Sequence, residues 1–223
     1  MFKKFRLKYH ERMALNGFVK SEFETALKHF KKIAAIAPDK KGTDFNTAVC
    51  LISLRRYEDA EKFLQKELEH GSPSLPLLQA LAENSFLCGN RKKALSYYEK
   101  ILKENLPEKT RRFTELKKKI MENETAFKEA LKSRDYMDKG DTLLEQGDYV
   151  NARKNFTKAT KLDPTCFQAH NNLGVIAMNH FNDYKLALTH FEKADELNDI
   201  PAVQMNIHKL NEAILKEQNN ADD

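Results

Sequence analysis

The chain has 223 residues, 41% hydrophobic and 32% charged, with only 7 Gly, 6 Pro, 3 Cys and no Trp. So little Gly and Pro excludes collagen-like and linker-like chains and argues against an all-β fold, while the apolar share is too high for disorder. The formal charge of +5 is unevenly spread: residues 1–32 hold nine Lys/Arg against three Glu, and residues 192–223 hold three Lys against eight acids.

The N-terminal segment interleaves Phe2, Phe5, Tyr9 and Met13 with Lys3, Lys4, Arg6, Lys8 and Arg12. Charges interrupt every apolar run there, so it does not read as a secretory signal. At helical spacing it makes a cationic amphipathic helix. Its apolar side continues through Leu15 and is expected to pack on a helix at Ala26–Ile33, leaving the charges in water. A period then appears. Ala26, Ala60 and Ala94 lie 34 residues apart, each followed four residues on by a large apolar side chain (Phe30, Leu64, Tyr98) and later by Pro38, Pro73 and Pro107. The spacing predicts three helical hairpins in residues 1–108.

Residues 109–132 contain no Gly or Pro and carry Phe113, Leu116, Ile120, Phe127 and Leu131 at helical spacing beside a basic run from Lys109 to Lys119. This insert either caps the first three hairpins, making two lobes, or runs on into the helix at Tyr136; the continuous helix is the favoured reading. The period resumes at 133–201. Tyr136, Gly140 and Leu143 share one face, Gly147-Asp148 breaks and recaps the chain, and Ala152, Phe156 and Ala159 form the answering stripe before Pro164. Leu173, Gly174, Ala187, Phe191 and Ala194 repeat the set with one residue inserted near Asn182. Residues 202–223 carry Val203, Ile207, Leu210 and Ile214, an apolar stripe suited to a terminal capping helix after Pro201, with Gln218–Asp223 expected to fray.

The small–large–small set Gly140, Ala152, Phe156, Ala159 and Pro164, with its successor Leu173, Gly174, Ala187, Phe191 and Ala194, resembles the tetratricopeptide repeat (TPR) family. The first three units depart from the pattern in having Ala14, Ala48 and Ala82 where the family often has Gly, and Leu64 in place of an aromatic. The resemblance implies an all-α, right-handed superhelical solenoid of helix–turn–helix repeats ending in a capping helix. It implies a non-enzymatic interaction module whose hairpins' first helices line a concave groove for a protein or peptide partner. Groove positions transferred to this chain are Lys8, Arg12, Phe45, Asn46, Gln79, Glu83, Asp141, Gln168, Asn171 and Asn172. Asn suits such a site because its amide donates and accepts. The carboxylate clamp of TPR co-chaperones, which take the C-terminus of the major heat-shock chaperones, is not expected: only Asn46 matches, and its other positions hold Glu11, Leu15, Pro76 and Ala80, or Met137 and Asp141 in the later register.

No other chemistry is signalled. The seven His form no HExxH pair; His180 and His190, flanking a turn, could hold a metal, but exposed or core-edge His is the favoured reading. Cys50, Cys88 and Cys166 are too far apart for a disulfide framework and read as reduced thiols. No nucleotide or nucleophile motif is present, no cofactor is expected, and no segment is apolar enough to span a bilayer, so the chain reads as cytoplasmic. The alternative function is a nucleic-acid or anionic-membrane-surface adaptor acting through the basic N-terminal helix and the 109–119 run, with nucleic acid the less favoured. Self-association through ends of opposite charge is open.

Overall fold

A computed structural model describes residues 2–71 and 73–221. Among these there are twelve helices and no strand, in two units, Met1–Glu104 and Asn105–Asp223.

The first unit holds three hairpins: α1 (Phe2–Val19) with α2 (Phe23–Ile36), α3 (Thr43–Ser53) with α4 (Tyr57–Leu68), and α5 (Leu75–Leu87) with α6 (Arg91–Ile101). The second holds α7 (Glu108–Glu122), then α8 (Glu124–Glu145) with α9 (Tyr149–Leu162), α10 (Phe167–Phe181) with α11 (Tyr184–Leu197), and α12 (Pro201–Ala221). Ala26, Ala60, Ala94, Ala152 and Ala187 are all fully buried, as are Leu64, Phe156 and Phe191, with Phe30 and Tyr98 nearly so. No hairpin can cover its own apolar face, so within each unit the hairpins stack on one another. α12 closes the second unit by burying Val203 and Leu210 against Ala177, Ala187, Phe191 and Ala194. Its helix continues to Ala221, into the segment expected to fray; Asp222 and Asp223 lie outside the described residues.

Gly140 and Gly174 show why the later repeats need Gly. A Cβ on either would lie 2.5 Å from a ring carbon of Phe156 or Phe191. What the glycine admits is therefore an aromatic ring rather than a facing backbone.

All five hairpin turns use one geometry. A left-handed residue stands five positions before the buried Ala: Ser21, Arg55, Gly89, Gly147 and Asn182, with φ of 60°, 60°, 74°, 77° and 52°. The next residue returns its N–H to the preceding helix: Glu22 to Gly17, Arg56 to Leu51, Asn90 to Ser85 and Asp148 to Leu143, each five residues back. This is the helix-ending bond that satisfies a terminal carbonyl. In the fifth hairpin the bond runs from Asp183 to Ala177, six residues back. The inserted residue is thus absorbed at the end of α10. Asn90, Asp148 and Asp183 also cap the helices they precede, accepting from the N–H three residues on at 3.2, 3.1 and 3.0 Å.

Two expectations are corrected. The insert is not one continuous strut. Its second half is the start of α8, but Asn123 breaks the chain, capping Ala126 at 3.0 Å, and its first half, α7, folds back. α7 lies across the ends of α9 and α11. Phe113 meets Phe167 edge to face, Lys117 reaches Asp163 at 3.5 Å with both side chains buried, and Lys109 bonds Asp195 and Asp199 at 3.2 and 2.6 Å. Phe2 and Phe5, moreover, are not buried against α2, and Tyr9 meets it only edge to face at His29, with ring centroids 6.1 Å apart. His10, Ala14 and Gly17 face it instead, while Phe2, Phe5 and Tyr9 are 83, 73 and 52% exposed. The cause is close approach: a Cβ at Gly17 would lie 3.1 Å from the backbone N of Ala26. That contact fixes the rotation of α1 and turns the aromatics outward.

No helix among the described residues is long and apolar enough to cross a membrane.

Candidate functional site

The sequence places its candidate residues on the first helix of each hairpin. In the second unit α8, α10 and α12 bring Asp141, Asn172, Asn171 and Asn206 into one polar line. Asn172 donates from Nδ2 to Asp141 Oδ1 at 3.2 Å, and Asn206 donates from Nδ2 to Asn171 Oδ1 at 2.8 Å. All four side chains are half-buried. Among the described residues, the Nδ2 group of Asn171 and the Oδ1 of Asn172 take part in neither bond. Asn206 was not among the expected groove positions. It sits on the helix read only as a cap, and the signal that could have found it is its 35-residue offset from Asn171, one repeat of the lengthened unit. Gln168 is exposed at the start of α10 and accepts a long contact from Cys166 Sγ at 3.9 Å.

In the first unit Phe45 and Asn46 are half-buried on α3, with the Phe45 N–H donated to Glu67 at 3.2 Å. Gln79 is exposed on α5, and Glu83 accepts from the Tyr98 hydroxyl of α6 at 3.3 Å. Behind them is a buried network. Asn84, fully buried, donates to Glu61 at 3.0 Å and to the Tyr57 carbonyl at 3.2 Å, and Lys93 pairs with Glu61. Burial opposes the charge on Glu61, but the bonds from Lys93, Asn84 and Gln65 prevail and hold its pKa below the ordinary value. Lys8 and Arg12 are exposed on α1 and join the basic face of that helix.

His180 is exposed and His190 half-buried. His180 stacks on Tyr149, with ring centroids 3.4 Å apart, and His190 faces His170, so the two do not form a metal pair. Two His–His contacts occupy equivalent repeat positions: His10 with His29 at 2.9 Å and His170 with His190 at 3.2 Å, Nδ1 to Nδ1. All four pKa values are lowered, burial being the largest cause, and His170 falls to about 4. Among the described residues no three His, Cys, Asp or Glu gather around one metal position. Burial pushes the Cys50 thiol up to about 11, and burial with nearby Glu58 and Glu61 raises that of Cys88.

The 109–119 run is largely neutralised from within. Lys109 and Lys117 are tied to Asp195, Asp199 and Asp163, Arg112 to Glu108, and Lys118 to Glu122. The N-terminal face has no such neutralisation: among the described residues no carboxylate pairs with Lys3, Lys4, Arg6, Lys8 or Arg12.

Residues 137–199 match the sequence profile of the tetratricopeptide repeat. The Hsp70-Hsp90 organizing protein 1 of Glycine max is 27% identical over 176 residues, and the Hsp70-Hsp90 organizing protein 2 of Arabidopsis thaliana is 25% identical over 170. Each alignment takes in 70% of this chain but only 30% of the relative, so the chain spans about a third of the curated relatives it matches. Among solved structures, YrrB, a TPR protein with an unusual peptide-binding site, is 19% identical with a TM-score of 0.42, covering 88% of each chain. The TPR2AB domain of yeast Sti1, in a pHSP90 complex, is 18% identical with a TM-score of 0.43, covering 93% of this chain and 84% of that one. A MamA protein is 15% identical with a TM-score of 0.41, covering 86 and 91%. The tetratricopeptide-repeat profile thus covers α8–α11, and the 34-residue period and five equivalent turns carry the same hairpin geometry through the other described hairpins.

Proposed function

We propose that the chain is a non-enzymatic protein-interaction module whose hairpins' first helices receive an extended segment or a helix of a partner protein. The observation that carries this reading is the polar line Asp141–Asn172 and Asn171–Asn206 across α8, α10 and α12. Those mutual bonds hold the amides in place before a ligand arrives, so little side-chain freedom is lost on docking. The remaining donors and acceptor match a peptide backbone, which presents both, without demanding a particular side chain. In the first unit Phe45, Asn46, Gln79 and Glu83 offer a more mixed apolar and polar surface of the same kind.

The curated relatives are named for organizing Hsp70 and Hsp90. Capture of a C-terminal carboxylate is not part of this proposal. Glu11, Leu15, Pro76, Ala80, Met137 and Asp141 stand where paired cations and amides would be needed, and two of the six repel an anion.

The test is a peptide selected on the chain from a displayed random library and measured by fluorescence anisotropy. Asn171→Ala with Asn172→Ala should weaken that peptide about tenfold, as expected for one or two lost hydrogen bonds, with thermal stability nearly unchanged. Undiminished binding, or a library yielding no binder, refutes the groove. Loss of fold would show that the amides are structural.

A further inference from the structure

The outward face of α1 is a surface that the polar line of α8, α10 and α12 does not use. A single helix turns about 100° per residue. On that spacing Phe2, Phe5 and Tyr9 form one strip, Lys4, Lys8 and Arg12 lie along one side of it, and Lys3 and Arg6 along the other. All eight side chains are exposed. Glu11, the one acid of α1, is held by Lys40 at 2.8 Å. On the Lys3–Arg6 side a cleft of about 530 Å³ opens between α1 and α2, where Lys3, Arg6 and Lys32 surround the apolar Phe2, Ala35 and Ile36. Lys28, Lys31 and Lys32 extend the positive surface along α2.

An exposed apolar strip rimmed by charged side chains marks an interaction surface. It asks for a cover. The charge around it specifies an anionic one, and the strip's convexity specifies a soft one, since a protruding helix offers no groove to a peptide. An aromatic strip flanked on both sides by long cationic side chains is the pattern of a helix lying in a lipid interface. Its rings enter the headgroup–acyl boundary while the lysine and arginine stems reach up to phosphates. The adjoining cleft sets cations above an apolar floor, which fits a phospholipid headgroup with the start of its chains.

We propose that α1 docks the protein onto an anionic phospholipid surface, with Phe2, Phe5 and Tyr9 in the interface and Lys3, Lys4, Arg6, Lys8 and Arg12 on the headgroup phosphates. This surface is separate from the polar line of α8, α10 and α12 and does not depend on it. The attachment is peripheral, made by buried apolar rings plus charge attraction, and both parts are needed for stable residence.

The test is co-sedimentation of the full chain with vesicles of phosphatidylcholine alone and of phosphatidylcholine with one lipid in three replaced by phosphatidylserine. The chain should partition at least tenfold more strongly onto the anionic vesicles, and added salt should weaken but not abolish this. Phe2→Ser with Phe5→Ser keeps every charge and touches no core, so it should lower binding about tenfold or more with an unchanged circular-dichroism melt. Lys3→Glu with Lys4→Glu should abolish it. Equal binding to both vesicle types, or binding indifferent to the Phe pair, overturns the proposal. So would light scattering that shows a charge-reversal-sensitive oligomer without vesicle binding, which would make a second copy the occupant. Preferential, Phe-dependent binding of single-stranded nucleic acid would overturn it too.

Discussion

Replacing Gly140 by Ala tests the packing account most directly. The added methyl would stand 2.5 Å from Phe156 Cε1, 2.8 Å from Cδ1 and 2.9 Å from Cζ. Ordinary carbon–carbon contact is about 3.5–4 Å, so the ring must retreat by roughly 1 Å. Phe156 is fully buried and has no solvent to swing into. Overpacking of this kind costs about 1–3 kcal/mol, and the better helix propensity of Ala returns up to about 1 kcal/mol. The expected net loss is about 1–2 kcal/mol. The chain contains its own remedy: the second hairpin uses Ala48 with Leu64, both fully buried, at the same two positions. Phe156→Leu alone should cost about 1 kcal/mol through the space it leaves. The double variant should recover most of both losses, giving a coupling of about 1–2 kcal/mol. Urea unfolding by circular dichroism, with hydrogen exchange on the α8 and α9 amides to locate the effect, measures all four corners. A single Gly140→Ala variant as stable as the parent, or a double variant damaged by the sum of its parts, would refute the ring-clearance reasoning.

Further outcomes follow from the charged and capping groups. His170 is ordinarily protonated near 6.5 and is pushed down to about 4 in the fold, by burial first and then by His190 and Lys193. A lowered folded pKa means stability that is full above about pH 6.5 and drains as pH falls toward 4, so unfolding between about pH 7.5 and about pH 5 should cost about 1 kcal/mol less at the lower pH after discounting for solvent screening. Glu61, lowered as well, loses its contribution only at still lower pH, whereas His10, His29 and His190 are lowered too and act in the same window, so His170→Gln should reduce the slope without removing it; a variant with the parent's slope would clear His170 of the effect. Lys117→Ala should destabilise the second unit by about 3 kcal/mol, because the buried Asp163 charge loses its cation, and Lys117→Met should do less harm in the same urea titration. Asp183→Ala should cost about 1 kcal/mol by removing the cap on Leu186, read from the melting of α11.

The hairpins were legible because one short residue, Ala, recurs wherever two helices must meet, and a period survives substitution of its other members. The turns were legible only in part. Gly147-Asp148 announced itself, but Ser21 and Arg55 adopt the same left-handed geometry without glycine, held by the backbone bond to Gly17 and Leu51. The fate of α7 was not legible, because its partners Asp163, Asp195 and Asp199 lie far along the chain and only folding brings them near. The orientation of α1 was misread because an aromatic stripe suggests a core, whereas the rotation is decided by the smaller Ala14 and Gly17. At the candidate site, the family resemblance pointed to Asp141, Asn171 and Asn172, which lie on α8 and α10; their bonds to one another and to Asn206 come from the stacking itself.

The way α7 is tied down changes what counts as a piece of this protein. The stretch recognised by family profile, residues 137–199, is not a unit that could be cut out and expected to stand. Its first boundary falls inside α8 and discards Phe127, Ala130 and Ser133, all buried. It also strips Lys117 from Asp163 and Lys109 from Asp195, and its second boundary removes Val203 and Leu210 from the cluster around Phe191. A fragment meant for crystallography or for grafting should begin near Asn105 and retain α12, because the helix before the repeats and the helix after them are part of how those two repeats stay closed.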